Sequence, residues 1–287
     1  FHIEPVVTIP IAKTPGYRLS TEFKLMYTHY QQEVPDDMDA YYVQRGFGEL
    51  ADSTNRTLPA ARVNGGLVFD RIGRWNSQLY TQTLEPEFQY LFVPYKDQID
   101  SGRYDTANMV PGYYRRFGDR RFAGLDRISD ANKMSLGVTS RVFDNESVER
   151  LRLTLGQAYN FQTPKVTLLP HDEQLLNSRS LLTFEGDLHP SDPWFLKARS
   201  FYDTQQKKIS IANGAVEYRK EAFMGQVNYR YVREGNVIYD APYQQTDMSQ
   251  LGLLAKVPLN RKWQAIAAYY YDTEQSRNID RLLGLRY

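Results

Sequence analysis

The sequence holds no cysteine, so disulfides, thiolate catalysis and cysteine-ligated zinc are excluded within its 287 residues. It has no apolar run approaching the roughly 18 residues that a membrane-crossing helix needs. Its mean hydropathy is −0.58. That excludes a helical span, but not a membrane crossed by strands, which show lipid only alternate residues. Net charge is nearly absent: 35 Lys and Arg stand against 34 Asp and Glu, which argues against a dedicated nucleic-acid surface. Histidine is scarce, with only His2, His29, His171 and His189. No nucleophile-elbow sequence accompanies them, so no catalytic residue is assigned. Asp36, Asp37 and Asp39 lack the central glycine and distal glutamate of a calcium loop and read as a solvated loop. No metal site and no cofactor are expected. The chain opens on Phe1 without a leader and is expected to be a stretch of a longer protein.

What the sequence has in excess is tyrosine, 22 in all, a residue with an apolar ring and a polar tip that suits a membrane interface. It also has alternation. From Leu84 to Pro94, Leu84, Phe88, Tyr90 and Phe92 fall on one face, with Glu85, Glu87 and Gln89 on the other. From Lys133 to Phe143, Met134, Leu136, Val138 and Val142 alternate with Lys133, Ser135, Thr139 and Arg141. Between them lies a connection from Tyr95 to Asn132, dense in Gly, Asp, Arg and Tyr. It far exceeds the roughly 12–15 residues at which structureless loops in compact domains become uncommon.

The same period runs through the rest of the chain. Strands are predicted over His2–Ala12, Tyr17–Tyr30, Ala60–Asp70, Ser77–Pro94, Lys133–Phe143, Val148–Phe161 and Ser180–Leu188. They continue over Trp194–Tyr202, Ile209–Arg219, Phe223–Tyr231, Met248–Val257, Trp263–Tyr271 and Asp280–Tyr287. Turns are expected at Gly73-Arg74, Asp144–Ser147, His189–Asp192, Lys220-Glu221 and Asn260-Arg261. Connections after odd strands are short, and most of those after even strands are long. Segregated loop lengths and strands of about 10–15 residues fit a transmembrane antiparallel β-barrel, with short periplasmic turns and long external loops. The fold class is therefore all-β: about 13 strands of a larger barrel, incomplete here, since bacterial barrels have even strand numbers. A large soluble β-sandwich or solenoid competes, although no fixed-period repeat is present.

Several stretches resemble the barrel of the lipopolysaccharide-assembly outer-membrane protein family LptD. They include Phe1–Pro5, Thr21–Leu25, Thr28–Gln32, Tyr80–Pro86, Val93–Gln98 and Gly124–Ile128. Gly137–Arg141, Val148–Arg150, Asn228–Tyr231 and Ala268–Thr273 follow in the same order, so the resemblance covers essentially the whole chain. It implies one outer-membrane barrel domain across residues 1–287, with an N-terminal jellyroll and the remaining strands outside this stretch. It also implies a role in inserting lipopolysaccharide into the outer leaflet. The implied partners are lipopolysaccharide, an LptE-type lipoprotein plug, a periplasmic lipopolysaccharide-transport bridge acting through the jellyroll, and outer-membrane lipids. The alternatives are a porin-like diffusion channel complete at this length, for which the terminal Tyr287 speaks, and an outer-membrane hydrolase.

Two residue sets are candidates. Arg115, Arg116, Asp119, Arg120, Arg121, Asp126 and Arg127 form the richest charged cluster, in the long connection. Arginines there can pair with lipid phosphates or order the loop through Arg–Asp pairs. The resemblance implies an external loop folded over the barrel mouth as a lid. Glu22, Lys24, Arg150, Arg152, Lys197, Arg199 and Arg230 lie in the polar phase of their strands and are lumen-facing candidates. Their mixed charges speak against a simple ion-selective ring.

Overall fold

The computed structural model describes residues 1–33, 40, 43–44, 50–75, 77–109, 112, 116–168, 180–233 and 247–287. Fifteen strands account for most of them: β1 (His2–Ile3), β2 (Val6–Lys13), β3 (Tyr17–Gln31), β4 (Ser53–Leu67) and β5 (Phe69–Trp75). Then come β6 (Gln78–Val93), β7 (Ala131–Phe143), β8 (Glu149–Asn160), β9 (Leu182–Ser191) and β10 (Trp194–Asp203). The last five are β11 (Lys208–Lys220), β12 (Phe223–Val232), β13 (Met248–Pro258), β14 (Gln264–Asp272) and β15 (Arg277–Arg286). The ladders follow one path, β1-β3-β4-β6-β7 and then in sequence to β15, with β2 also on β3 and β5 on β6. The fold is thus all-β and antiparallel. No ladder joins β15 to β1 or β2 among the described residues.

The count exceeds thirteen because two predicted strands are interrupted. Glu4-Pro5 separates β1 from β2, although both keep the same register on β3, His2 opposite Thr28 and Val6 opposite Lys24. The register slips between Pro10 and Ala12, where a proline that cannot donate is followed by a bulge. Val68 separates β4 from β5 by donating its N–H to Gly16 O. Beyond it, among the described residues, the chain pairs with β6 alone. The turn expected at Gly73-Arg74 is not there. Both residues lie in the β5–β6 ladder, opposite Tyr80 and Leu79, and the chain reverses between Trp75 and Gln78, with Ser77 at φ 65°. The other reversals fall within two residues of expectation. Asp144 caps its turn through bonds from the N–H groups of Glu146 and Val148, both 2.9 Å. The connections after β3, β6, β8 and β12 are long, and every connection at the opposite strand ends is short.

The chain divides into two compact units. The first comprises Phe1–Val68, Pro86–Gly137 and Gln157–Ser180. In β3 and β4 of this unit, Phe23, Leu25 and Tyr27 are exposed on one face, while Met26 and Thr28 are buried on the other. The second comprises Phe69–Glu85, Val138–Gly156 and Leu181–Tyr287. Its exposed face carries Leu153, Leu155, Phe184, Leu188, Val216, Val227, Leu253 and Tyr269. Across the ladders Leu188, Leu196, Val216, Val227, Leu253 and Tyr269 stand in one row. An exposed apolar row that continuous suits hydrocarbon and not water.

That alternation makes a testable distinction in β12. Val227→Arg is expected to destabilise the inserted protein by about 2–4 kcal/mol if the site lies near the bilayer midplane. Asn228→Arg, on the opposite face, should be tolerated far better. Spin labels at 227 and 228 should differ in lipid accessibility; equal accessibility would refute the register.

Candidate functional site

In its described residues, the long connection between β6 and β7 stays on the sheet. It lies against the non-exposed face of β3, β4, β6 and β7 within the first unit, and three sets of contacts hold it there.

The first is apolar. Met26, Leu58, Ala60, Leu91 and Val93 occupy strand positions that alternation assigns to the polar face, and they are buried together with Ile128 of the connection. Farther along, Phe122, only 1% exposed, packs with Val166 and Leu168 from the connection after β8. Tyr104 instead reaches back, its hydroxyl donating to Gln32 Oε1 at 2.6 Å.

The second is centred on Arg56, a β4 residue only 3% exposed. Its Nη1 donates to Gln98 Oε1 at 2.7 Å and to the Asp126 carbonyl at 2.9 Å. Its Nη2 donates to Thr28 Oγ1 and to the Leu125 carbonyl. Gln98 and Ile128 exchange two bonds, Gln98 Nε2 to Ile128 O at 2.8 Å and Ile128 N to Gln98 Oε1 at 2.9 Å. The Asp126 carboxylate faces back into the connection and accepts from the N–H groups of Tyr104 and Asp105. Arg127 donates to Ser101 O at 2.9 Å. Gly124 makes this fold-back possible. Its φ is 73°, and a Cβ there would stand 2.6 Å from the Asp105 carbonyl oxygen.

The third is ionic. Lys24 binds Glu4 Oε1 at 2.6 Å and also pairs with Asp119 of the connection. Arg120 pairs with the same Glu4. Burial pushes the Asp119 carboxyl up, but the Lys24 ammonium outweighs it and holds the group below the usual carboxylate range. Beside this trio, Ser135 Oγ and Lys133 Nζ donate to the Arg116 carbonyl, and Gln89 Nε2 donates to Phe117 O.

The charged cluster of the connection is therefore placed as follows. Arg116, Asp126 and Arg127 are buried; Asp119, Arg120 and Arg121 are half-buried. Arg115 lies outside the described residues, as do Tyr113, Tyr114, His171 and the acidic run with Asp36, Asp37 and Asp39. Among the remaining histidines, His2 meets Thr28, His29 meets Asn55, and His189 stacks on Phe195 at 4.3 Å.

The strand candidates fall into two groups, one in each unit. In the first, Glu22 binds Arg62 at 2.5 Å and Lys24 joins the ionic trio. In the second, the charges form a chain: Arg141 bridges Glu85 and Glu149, and Arg152 bridges Glu149 and Asp187. Arg150 pairs with Asp144 at 2.7 Å and Asp192 at 3.0 Å, and Arg199 stands 3.9 Å from Glu185. Lys197 and Arg230 are exposed. In the ladders all five lie on the face opposite the exposed apolar row.

A two-faced antiparallel sheet with an ordered connection across its polar side narrows the family. The model for LptD, described as LPS transport system D, matches residues 1–263. The chain belongs to the LptD family. The LPS-assembly protein LptD of Aeromonas salmonicida is 46% identical over 99% of this chain. Those of Yersinia enterocolitica and of an Escherichia coli O1:K1 strain are 40% and 36% identical over all of it. This LptD-family chain spans little more than a third of those relatives, 36–38% of their length. Among solved structures, a ferric enterobactin receptor mutant of Pseudomonas aeruginosa aligns over 95% of the chain and 43% of its own. Identity there is 9% and the TM-score 0.40, too distant to carry weight. LptD membership places the chain in the outer membrane and does not favour the diffusion-channel alternative.

Two outcomes test the seat of the connection. Because the folded Asp119 carboxyl is depressed, its contribution is complete above the unfolded carboxylate pKa, about 3.9. It is lost as pH falls through the lower folded value. Protection of the amides in residues 95–130 should fall on acidification below about pH 4, and Asp119→Asn should weaken that dependence. Arg56→Ala leaves several buried acceptors unmet at about 1–3 kcal/mol each. It should loosen residues 95–130 to protease and exchange while β9–β15 stay unchanged; equal protection in the variant would refute the anchor.

Proposed function

We propose that this chain is part of the wall of a single outer-membrane barrel that inserts lipopolysaccharide into the outer leaflet. The observation that carries this reading is the LptD family match over residues 1–263. The relatives' printed name, LPS-assembly protein, supplies the cargo. The two faces of the sheet support the division of labour. The exposed apolar row meets lipid, and the face with Glu22, Lys24, Arg150, Arg152, Lys197, Arg199 and Arg230 meets the lumen. Mixed, mutually paired charges there suit a passage for a polar saccharide better than a selective pore for one ion sign. The proposed partners are an LptE-type lipoprotein inside the lumen and a periplasmic bridge that hands over lipopolysaccharide through a jellyroll. The role is transport, without a chemical step. Depleting the full-length protein should stop newly made lipopolysaccharide from reaching the cell surface; undiminished surface delivery would sink the reading.

The connection of residues 94–130 acts as a lid over the external mouth in this proposal. Arg116, Asp119, Arg120, Arg121, Asp126 and Arg127 order it, with Arg115 assigned to the same group. It stands on the long-connection side of the sheet, the external side in outer-membrane barrels. Its buried anchors hold it across the polar face. Deleting residues 99–122 in the full-length protein should sensitise cells to large antibiotics more than it reduces lipopolysaccharide delivery. Unchanged permeability would refute the lid.

A further inference from the structure

Where residues 116–119 sit on the wall, the wall donates and the connection accepts. Lys24 of β3 donates to the Asp119 carboxylate. Lys133 of β7 donates to the carbonyls of Arg116 at 3.3 Å and Gly118 at 3.1 Å. Ser135 Oγ donates to the Arg116 carbonyl, and Gln89 Nε2 of β6 to the Phe117 carbonyl, both at 2.6 Å. Arg62 of β4 faces the same carboxylate, and its Nε is buried without a hydrogen-bond partner among the described residues. One carboxylate and three carbonyl oxygens thus fill a donor-lined patch drawn from four strands.

The charges on the wall side of this patch do not balance. Lys24, Arg62 and Lys133 stand against two carboxylates, Glu4 and Glu22, which pair with Lys24 at 2.6 Å and with Arg62 at 2.5 Å. The connection brings the third negative charge, Asp119. A half-buried cation left in surplus is costly, so the patch requires an anion whether or not the connection supplies it. The two parts of the connection are also held differently. Arg56 grips its root and is 3% exposed. The Lys24 and Asp119 side chains keep 11% and 26% exposure, so their pair is open to exchange with another anion.

We propose that this patch binds a phosphate group of lipopolysaccharide, and that the Asp119 carboxylate occupies the site in its absence. A phosphate brings more than one negative charge and three acceptor oxygens, and it outcompetes a carboxylate for three converging cations. Sugar oxygens replace the backbone carbonyls at Gln89 and Ser135, so no donor is left unmet by the exchange. The cargo itself then releases the tip of the connection, while Arg56 keeps the root in place. The proposal rests on the transporter reading for the identity of its cargo.

The test uses the purified full-length protein with its native partners and added lipopolysaccharide, either intact or stripped of phosphate by a phosphatase. A photo-crosslinking side chain is placed at Asn64, which accepts from Gln89 beside the tip, or at Lys197, exposed on the polar face of the second unit. Asp119→Asn and Lys24→Gln both break the ion pair that holds the tip. They should nevertheless move the Asn64 adduct in opposite directions. Asp119→Asn should raise it several-fold by vacating the site, and Lys24→Gln should lower it about tenfold by removing a charge-assisted hydrogen bond. Lys24→Arg should restore it, and stripped lipopolysaccharide should show none of these responses. The Lys197 adduct should ignore all three substitutions. If both tip-releasing substitutions raise the Asn64 adduct, or if stripped lipopolysaccharide responds equally, the tip is merely a cover and the site is overturned. An adduct at Lys197 without one at Asn64 would overturn the site and leave the transporter reading standing. A phosphate-dependent Asn64 adduct, with surface delivery undiminished after depletion, would keep the site and sink the transporter reading.

Discussion

A peptide group left without a partner in hydrocarbon costs several kcal/mol, and this cost orders most of the chain. It demands continuous ladders, which the strands supply with few interruptions. The permitted breaks fall where the chain offers a substitute. Val68 finds Gly16 O in place of a neighbouring strand, and the bulge after Pro10 absorbs a residue that could not have donated. With backbone groups committed to the ladders, side chains alone distinguish the two faces. Phe23, Leu25 and Tyr27 can be exposed only where the surroundings are apolar, and Glu22 and Lys24 can point the other way only where partners exist.

Those partners are local and specific. The polar face of the first unit is covered by its own long connection, so its charges are not simply solvated. Arg56 shows how the cover is fastened. A buried guanidinium grips two backbone carbonyls and a glutamine, and strong donors of that kind are expensive to leave unmet. In the second unit the equivalent face is knit by a chain of ion pairs from Glu85 to Asp187. A network of this type fixes geometry more than it adds stability.

The strands were legible because period-two alternation survives in nearly every one, and β12 and β8 could be placed almost to the residue. The turn after β5 is not legible, because Gly73-Arg74 looks like a reversal, whereas Tyr80 lies close against Gly73 across the ladder and keeps it in the strand. The apolar patch of Met26, Leu58, Leu91 and Val93 does not follow from strand alternation. Its trace was present: Leu25-Met26-Tyr27 and Leu91-Phe92-Val93 are apolar on both faces, at strand ends next to long connections. A strand turns apolar on both sides when something covers its second face. Arg56 carries no such trace: the alternation predicts a strand only from Ala60, which leaves Arg56 in the polar stretch before it, whereas β4 begins at Ser53. Gln98 and Ile128 lie in stretches that resemble the family, but only the fold shows that they bond to each other.

The seat of the long connection also sets a timetable. Arg120 is 116 residues from Glu4 in sequence, and Asp119 is 95 from Lys24. Contacts so distant require large loops to close before any reward is gained, and chains rich in them fold slowly. Until residues 119–128 emerge and dock, Lys24, Arg56 and the patch around Met26 have no cover. The half-made wall then presents an uncapped cation and bare apolar surface on its inner side, the state in which nascent sheets are most prone to aggregate. Correct assembly of this segment therefore depends on keeping β3 and β4 apart from other chains while the strands up to β7 are delivered.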